Sequence, residues 1–330
     1  MKQRLLIRRI LLLLLALAVA LSLFGCAGNK KPAHSAKHDD ETERSERHGD
    51  ETERTAATED ETARDKKTEG GADWFSERGG EGTWSYSLRI EETFEEYTTD
   101  GGAVLATGSF ERPVLELIND DGATEGTPPA ELQRVCNSFN DFFDTIYSIP
   151  EDDERYAYCT VAGLGKAAEE WYNAMDADAH EYFYAYFYNI EVPVSRLEGD
   201  LVEIELMTSV YCGGAHGGSG KAGYHFDLKT GEFFTLADLT DDMAGLGGTL
   251  ADEILRIIAE SGEADYYFSG YEDTVRNYGN YNFSLGSSAL TVIFGEYEIG
   301  PYAMGIQTFA VSYDVIAPFL NARGERLLGQ

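Results

Sequence analysis

His216 is the side chain that most directly suggests metal chemistry, because it lies in a glycine-rich segment after a predicted strand. His180, Cys212 and His225 are its candidate companions. A zinc site needs three or four converging ligands, and the spacing of these residues does not enforce convergence. The favoured alternative is structural: glycines at 213, 214, 217 and 218 supply backbone angles that other residues resist, and His216 holds the loop by a hydrogen bond. We therefore predict no metal site.

Catalytic motifs of the common enzyme classes do not occur in the sequence. A nucleophile elbow, a Walker loop and a His-Glu-x-x-His helix are all missing from it. Carboxylates are abundant, so a glycosidase-like pair stays open as an alternative, but no pattern singles one out. We predict no catalytic residue, no cofactor and a protein that is not an enzyme.

Aromatic residues in the segment 297–305 suggest recognition instead. Tyr297, Glu298, Pro301 and Tyr302 lie close together there. Proline fixes its own φ and restricts the residue before it, so the loop is expected to be stiff, and Gly305 permits a turn after it. Aromatic side chains on rigid elements are common recognition anchors, but they are equally common packing residues. Both interpretations stay open.

The first 25 residues have the anatomy of a signal peptide. Basic side chains at residues 2–9 precede an almost wholly apolar run at residues 10–23, and small residues surround Cys26. The apolar run is shorter than the roughly 20 residues that a membrane-spanning helix needs.

Leu23-Phe24-Gly25-Cys26 resembles the lipobox of bacterial lipoproteins, although Phe24 is bulkier than usual. The resemblance implies cleavage before Cys26 and a diacylglyceryl group on its sulfur. Two or three acyl chains would anchor the protein firmly, at about 0.8 kcal/mol per buried CH₂. We expect an extracytoplasmic protein, lipid-anchored to the cell membrane; the alternative is an uncleaved signal anchor with an incidental cysteine.

The formal net charge of −33 narrows the range of partners. A nucleic-acid binder needs a basic face, so we predict that the protein does not bind nucleic acid. A strongly acidic surface attracts cationic partners. The more common explanation is that acidity simply keeps a surface protein soluble.

Residues 26–82 are predicted to be a disordered acidic and polar tether. They contain few large apolar side chains and a short repeat with a period of ten residues, at 40–44, 50–54 and 60–64. Such a segment cannot bury enough apolar surface to offset its chain entropy.

The remaining chain is predicted to be α+β, with antiparallel sheets and packed helices in two consecutive subdomains at 83–180 and 181–330. Strands and helices come in unequal groups, which argues against a doubly wound fold. The predicted strands cover 84–98, 104–118 (broken at Pro113), 181–194, 202–210 (half-buried), 218–228, 289–294 and 307–313. The predicted helices cover 129–147, 153–175, 246–258 and 315–320, with a helical turn at 235–239.

Cysteines other than Cys26 allow at most one intramolecular bridge. Cys136 lies in the apolar stripe of the first helix and is predicted to be a small buried hydrophobe. Cys159 lies roughly opposite the apolar stripe of the second helix, which includes Trp171. The role of Cys212 stays open.

Three segments together resemble the RsiV-type extracellular domain family, found in a lysozyme-sensing anti-sigma factor and in some peptidoglycan deacetylases. They are Gly213-Gly-Ala-His216, Phe226-Asp-Leu-Lys-Thr-Gly231 with Leu236-Ala-Asp-Leu239, and Tyr297-Glu-Ile-Gly-Pro-Tyr-Ala-Met-Gly305. The match of motifs runs over roughly 182–320. Asp227 and Gly231 also fit a hairpin turn by themselves, and Asp238 fits a helix cap.

The resemblance implies an extracellular module that binds a lysozyme-like muramidase or another cationic partner. The expected ligand-binding residues are Tyr297, Glu298, Pro301, Tyr302 and His216. One alternative is a structural lipoprotein associated with the cell wall. Another is an uncharacterised metal-binding or hydrolytic protein.

Overall fold

The computed structural model describes residues 84–119, 122–148 and 159–329. Cys26, the predicted signal peptide and the predicted tether lie outside these residues. No helix within the described part of the chain is long and apolar enough to cross a membrane.

A six-stranded sheet forms the larger layer, with its strands in chain order. All neighbouring strands are antiparallel except β2 and β3, which are parallel. Parallel neighbours need a long crossover, and two helices, α1 and α2, lie in this connection. The strands are β1 (Trp84–Thr98), β2 (Val104–Asn119), β3 (Tyr186–Glu198), β4 (Leu201–Tyr211), β5 (Gly218–Asp227) and β6 (Glu232–Phe234).

Helices α1 (Ala130–Tyr147) and α2 (Val161–Ala174) bury their apolar stripes in the first hydrophobic core. The stripe of α1 follows helical periodicity and includes Phe139 and Phe143, both 0% exposed. Thr160 caps α2 by accepting a hydrogen bond from the backbone N–H of Gly163 at 3.1 Å. As predicted, Cys136 is buried in this core.

A three-stranded antiparallel sheet and the remaining helices build the second core. Its strands are β7 (Asn282–Leu285), β8 (Ala289–Phe294) and β9 (Gln307–Ser312). The helices are α3 (Met243–Ser261), α4 (Tyr271–Val275), α5 (Tyr313–Ile316) and α6 (Ala322–Leu328). Strand β7 lies against β4 and β5, so the two sheets are in direct contact.

The predicted fold class is confirmed: the chain is α+β, with two sheets that are antiparallel except for the β2–β3 pair. The predicted division into subdomains placed a boundary between residues 180 and 181. In the structure, the strands that follow this point pack with the first core, which extends to Leu228. The second core is built mainly from residues 234–328.

Three predicted element boundaries were wrong, each where contacts with distant parts of the chain decide the structure. Strand β2 continues through Pro113, which pairs with Ile90 of β1 beyond the stretch that pairs with β3; proline is tolerated where a neighbouring strand needs no N–H. Of the second predicted helix, at 153–175, residues 153–158 lie outside the described residues, and α2 itself starts at Val161. Cys159 precedes α2 and is buried, while Trp171 is 61% exposed. The predicted closing helix at 315–320 is two short turns, and α6 follows them.

Strand β4 was predicted to be half-buried, and this too was wrong. Val202, Ile204 and Leu206 face the first core as expected, but Glu203 and Glu205 between them are also buried. The three-stranded sheet covers this second face of β4, and its contacts come from residues about 80 positions later.

Candidate functional site

Two loops from different sheets meet at the surface of the molecule. One loop connects β4 to β5 and contains His216; the other connects β8 to β9 and contains Tyr302. The imidazole of His216 stacks on the ring of Tyr302, with centroids 4.0 Å apart and planes inclined by 24°. We call the surface formed by His216, Tyr297, Pro301 and Tyr302 the His216–Tyr302 face.

Glycines shape the first loop, but only two of the four predicted positions, 213 and 214, have the unusual backbone angles. Gly213 and Gly214 have φ of 91° and 88°, a conformation that disfavours other residues. Gly217 is needed for a different reason, because a Cβ there would lie 2.5 Å from the carbonyl oxygen of Val210. A ring nitrogen of His216, Nδ1, lies 2.8 Å from the carbonyl oxygen of Gly217, which confirms the predicted loop-holding contact.

The second loop is held by a turn around Tyr297. Among the described residues, Tyr297 is the non-glycine residue with positive φ, at 62°, a conformation uncommon for a bulky side chain. The carboxylate of Glu298 accepts a hydrogen bond from the N–H of Gly295 at 2.7 Å and closes this turn. Gly305, with φ of 64°, ends the loop before β9. Strain of this kind persists only where the surroundings enforce it.

Glu296 ties the two loops together, and sequence reasoning missed it. Its carboxylate accepts a hydrogen bond from the N–H of Ser219 in β5 at 3.1 Å. Partial burial raises the pKa of Glu296 above its ordinary value, while the Ser219 N–H opposes that shift. Glu296 stands directly before the Tyr297 motif, but nothing in the sequence indicates that it reaches β5.

The predicted site residues divide into two groups. His216, Tyr297 and Tyr302 form a row of rings, since Tyr297 lies 5.8 Å from Tyr302; Tyr297 is 47% exposed and Pro301 is exposed beside them. Glu298 instead directs its carboxylate to its own turn. Such a surface can stack on, and hydrogen-bond to, a partner.

Two of the candidate metal companions of His216, His180 and His225, lie elsewhere, and Cys212 in the same loop is disulfide-bonded. His180 stacks on Tyr172, with ring centroids 3.8 Å apart, and His225 is buried between the two sheets. Within the described ranges, no group of three or more His, Cys, Asp or Glu side chains could hold a metal ion.

Comparison with known proteins places the second loop in a recognised segment. Residues 237–314 match the family described as "Protein of unknown function (DUF3298)". None of the curated proteins matches the chain. We call residues 237–314 the DUF3298 segment.

Solved structures similar to the chain include two proteins of the DUF3298 family. A member of the DUF3298 family from Bacteroides fragilis has a TM-score of 0.51 and 19% identity, over 76% of this chain and 100% of that chain. A DUF3298 family protein from Pseudomonas aeruginosa PAO1 has a TM-score of 0.41 and 14% identity, over 72% and 94%. The first likeness indicates a shared fold.

The His216–Tyr302 face therefore combines two parts of the chain. Glu296, Tyr297 and Tyr302 belong to the DUF3298 segment, whereas His216 and Ser219 precede it. The face exists only when the segment is docked on β5.

Proposed function

We propose that the protein is an extracytoplasmic lipoprotein, anchored through Cys26, whose His216–Tyr302 face binds a cationic protein. A lysozyme-like muramidase is the candidate that the resemblance to the RsiV-type family suggests. The observation that carries the proposal is the stack of His216 on Tyr302, which joins two loops and leaves Tyr297 and Pro301 exposed beside it.

Rigid presentation favours binding. A loop that is already ordered loses little conformational entropy when a partner docks, and Tyr offers a large amphipathic surface for contact. The hydrogen bonds of Glu296 and Glu298 keep both loops in place without using the exposed rings. Tyr297 thus stays 47% exposed and accessible to a ligand.

Charge favours a basic ligand. The chain carries 59 acidic and 26 basic residues. In the described part, seven arginines and Lys221 already lie in ion pairs with Asp or Glu. Because these basic side chains are already paired, the acidic residues in excess produce a negative potential that attracts a cationic partner.

The test is a Tyr302→Ala variant of the full chain, titrated with a c-type lysozyme by calorimetry. We expect the variant to keep its melting temperature within a few degrees and to lose about 1 kcal/mol or more of binding free energy, as a significant interface residue does. Tyr182→Ala is the matched control, because Tyr182 is 76% exposed and lies outside the face; it should bind like the native chain.

Two outcomes would contradict the proposal. Equal binding by the native chain and the Tyr302→Ala variant would remove the face from the interface. A loss of roughly 3–5 kcal/mol of stability in the variant would instead identify Tyr302 as a packing residue.

A further inference from the structure

The two sheets meet along a seam that is unusually close. A Cβ at Gly223 of β5 would lie 1.8 Å from the carbonyl oxygen of Phe283 in β7, so only glycine permits this approach. The Asn282 side chain spans the seam: its Oδ1 accepts from the N–H of Gly223 at 3.0 Å, and its Nδ2 donates to the carbonyl of Lys221 at 2.6 Å. We call this contact between β7 and strands β4 and β5 the intersheet seam.

A glutamate and a histidine are buried inside the intersheet seam. Glu203 of β4 is 0% exposed and His225 of β5 is 3% exposed, and Oε2 of Glu203 lies 3.3 Å from Nε2 of His225. Both residues also hold β7. Oε1 of Glu203 accepts from the N–H of Leu285 at 2.8 Å, and the His225 ring stacks on Phe283 at 4.1 Å.

Geometry requires one proton between these two atoms. The imidazole of His225 already hydrogen-bonds the backbone of Phe283, which leaves Nε2 to face Glu203. Neither Nε2 nor Oε2 has another hydrogen-bond partner among the described residues. With no proton on this axis, two acceptors would face each other; with two protons, two donors would do so, and either state leaves a net charge on the buried pair.

Neighbouring charged groups are already engaged. Arg196 of β3 donates to the carbonyl of Leu285 at 2.6 Å and pairs with Glu198 at 2.8 Å. Glu205 of β4 pairs with Lys221 of β5 at 2.8 Å. From α5, the hydroxyl of Tyr313 donates to the carbonyl of Gly286 at 2.7 Å.

Burial favours the uncharged form of both members of the pair. It raises the pKa of Glu203 to about 8, and it lowers the pKa of His225 to about 3. The raised pKa of Glu203 and the lowered pKa of His225 together mean that the pair holds one proton at neutral pH, and that this proton lies preferentially on Glu203. Because interacting groups titrate as a pair, the number of protons on the pair is better defined than the residue that carries the proton.

We propose that one proton shared between Glu203 and His225 locks the three-stranded sheet onto the six-stranded sheet, and that removing it or adding a second loosens the intersheet seam. The same seam holds His216 and Ser219 opposite Tyr302 and Glu296. A loosened seam would therefore also disturb the His216–Tyr302 face, a consequence that rests on the proposed function.

A Glu203→Gln variant of the full chain tests the lock without any ligand. The amide can donate to His225 and accept from Leu285, as a protonated Glu203 does, but it cannot ionise. A raised carboxyl pKa means that native stability falls as pH rises from the unfolded value, about 4.5, to about 8. The folding constant of the variant, divided by that of the native chain, should therefore rise about tenfold per pH unit in this window.

Urea unfolding at several pH values measures this ratio. Glu260→Gln makes the same chemical change on a carboxylate that is 65% exposed, and its ratio should stay within about twofold over the same window. A Glu203→Gln ratio that rises less than about threefold per pH unit would overturn the proposal.

Carbon-13 NMR of the native chain at pH 6 gives a second test if the variant does not fold. One proton on the pair, at either Glu203 or His225, supports the lock. An ionised Glu203 beside a neutral His225 overturns it.

Discussion

Asp227 shows how one residue can join distant parts of the chain. Its carboxylate is 0% exposed and accepts from the N–H of Lys229 at 3.1 Å, which closes the predicted hairpin turn. It also pairs with Arg323 at 3.0 Å and with Arg326 at 2.7 Å, both in α6. Ion pairs of Asp227 thus connect the turn between β5 and β6 to the last helix, α6.

An Asp227→Asn change should therefore cost more than a turn residue normally would. The amide can still close the turn, but Arg323 loses its carboxylate partner and Arg326 keeps only Asp200. Breaking a buried ion pair costs roughly 3–5 kcal/mol, and because the arginine side chains are 24% and 26% exposed, water should reduce the cost to about 2–3 kcal/mol. Urea unfolding measures it.

Asp252→Asn provides the comparison for this prediction. Asp252 pairs with Arg276 at 2.9 Å, but its side chain is 70% exposed, so we expect a cost of about 0–1 kcal/mol. Equal effects of the two changes would show that the Asp227 pairs do not contribute beyond an ordinary surface ion pair.

Roles of single residues could be predicted from the sequence when the group that the residue contacts lies nearby in the chain. Asp227, Gly231 and the cap residue Asp238 lie within a few residues of the groups they serve, and all three were predicted. The arginines of α6 follow Asp227 by 96 and 99 positions, and no short-range pattern encodes that distance. Glu203 is the same case, because the strand that buries it comes about 80 residues later.

Helix α3 offers a prediction at the scale of a single element. Two consecutive glycines lie inside it. A Cβ at Gly247 would come within 2.1 Å of the Tyr278 ring, whereas a Cβ at Gly248 would meet nothing within 4 Å. The first glycine permits close packing; the second only costs helix stability.

Alanine at the two positions should have opposite effects. Gly248→Ala should stabilise the protein by about 0.5–1 kcal/mol, since alanine favours the helix. Gly247→Ala should destabilise it by about 1–3 kcal/mol, since Tyr278 must move. Thermal unfolding of both variants gives the answer, and a stabilising Gly247→Ala would show that Tyr278 does not pack tightly on α3.

Element predictions from periodicity were reliable when one face met one core. The first helix was predicted to within one residue of Ala130–Tyr147, because its apolar stripe faces the sheet. Trp171 was assigned to the buried face of α2 because it continues the stripe, yet it lies at the solvent-exposed end, beyond the last buried position at Ala168. Periodicity identifies a face but not how far the neighbouring layer extends along it.

Two properties of the whole molecule set its expected behaviour in solution. The cores are joined through the intersheet seam, so the candidate face depends on how the sheets dock and not on either sheet alone. The net charge of −33 acts over a Debye length of roughly 30 Å at 0.01 M salt and about 8 Å at 0.15 M. Association with a cationic protein should therefore depend strongly on salt.

Calorimetric titration of the full chain with a c-type lysozyme, at about 0.01 M and about 0.15 M salt, tests the central claim most directly. The account predicts saturable binding at low salt, an affinity about tenfold or more weaker at the higher salt, and weaker binding by Tyr302→Ala under both conditions. Absence of binding at low salt, binding that the higher salt does not weaken, or equal binding by Tyr302→Ala would each contradict it.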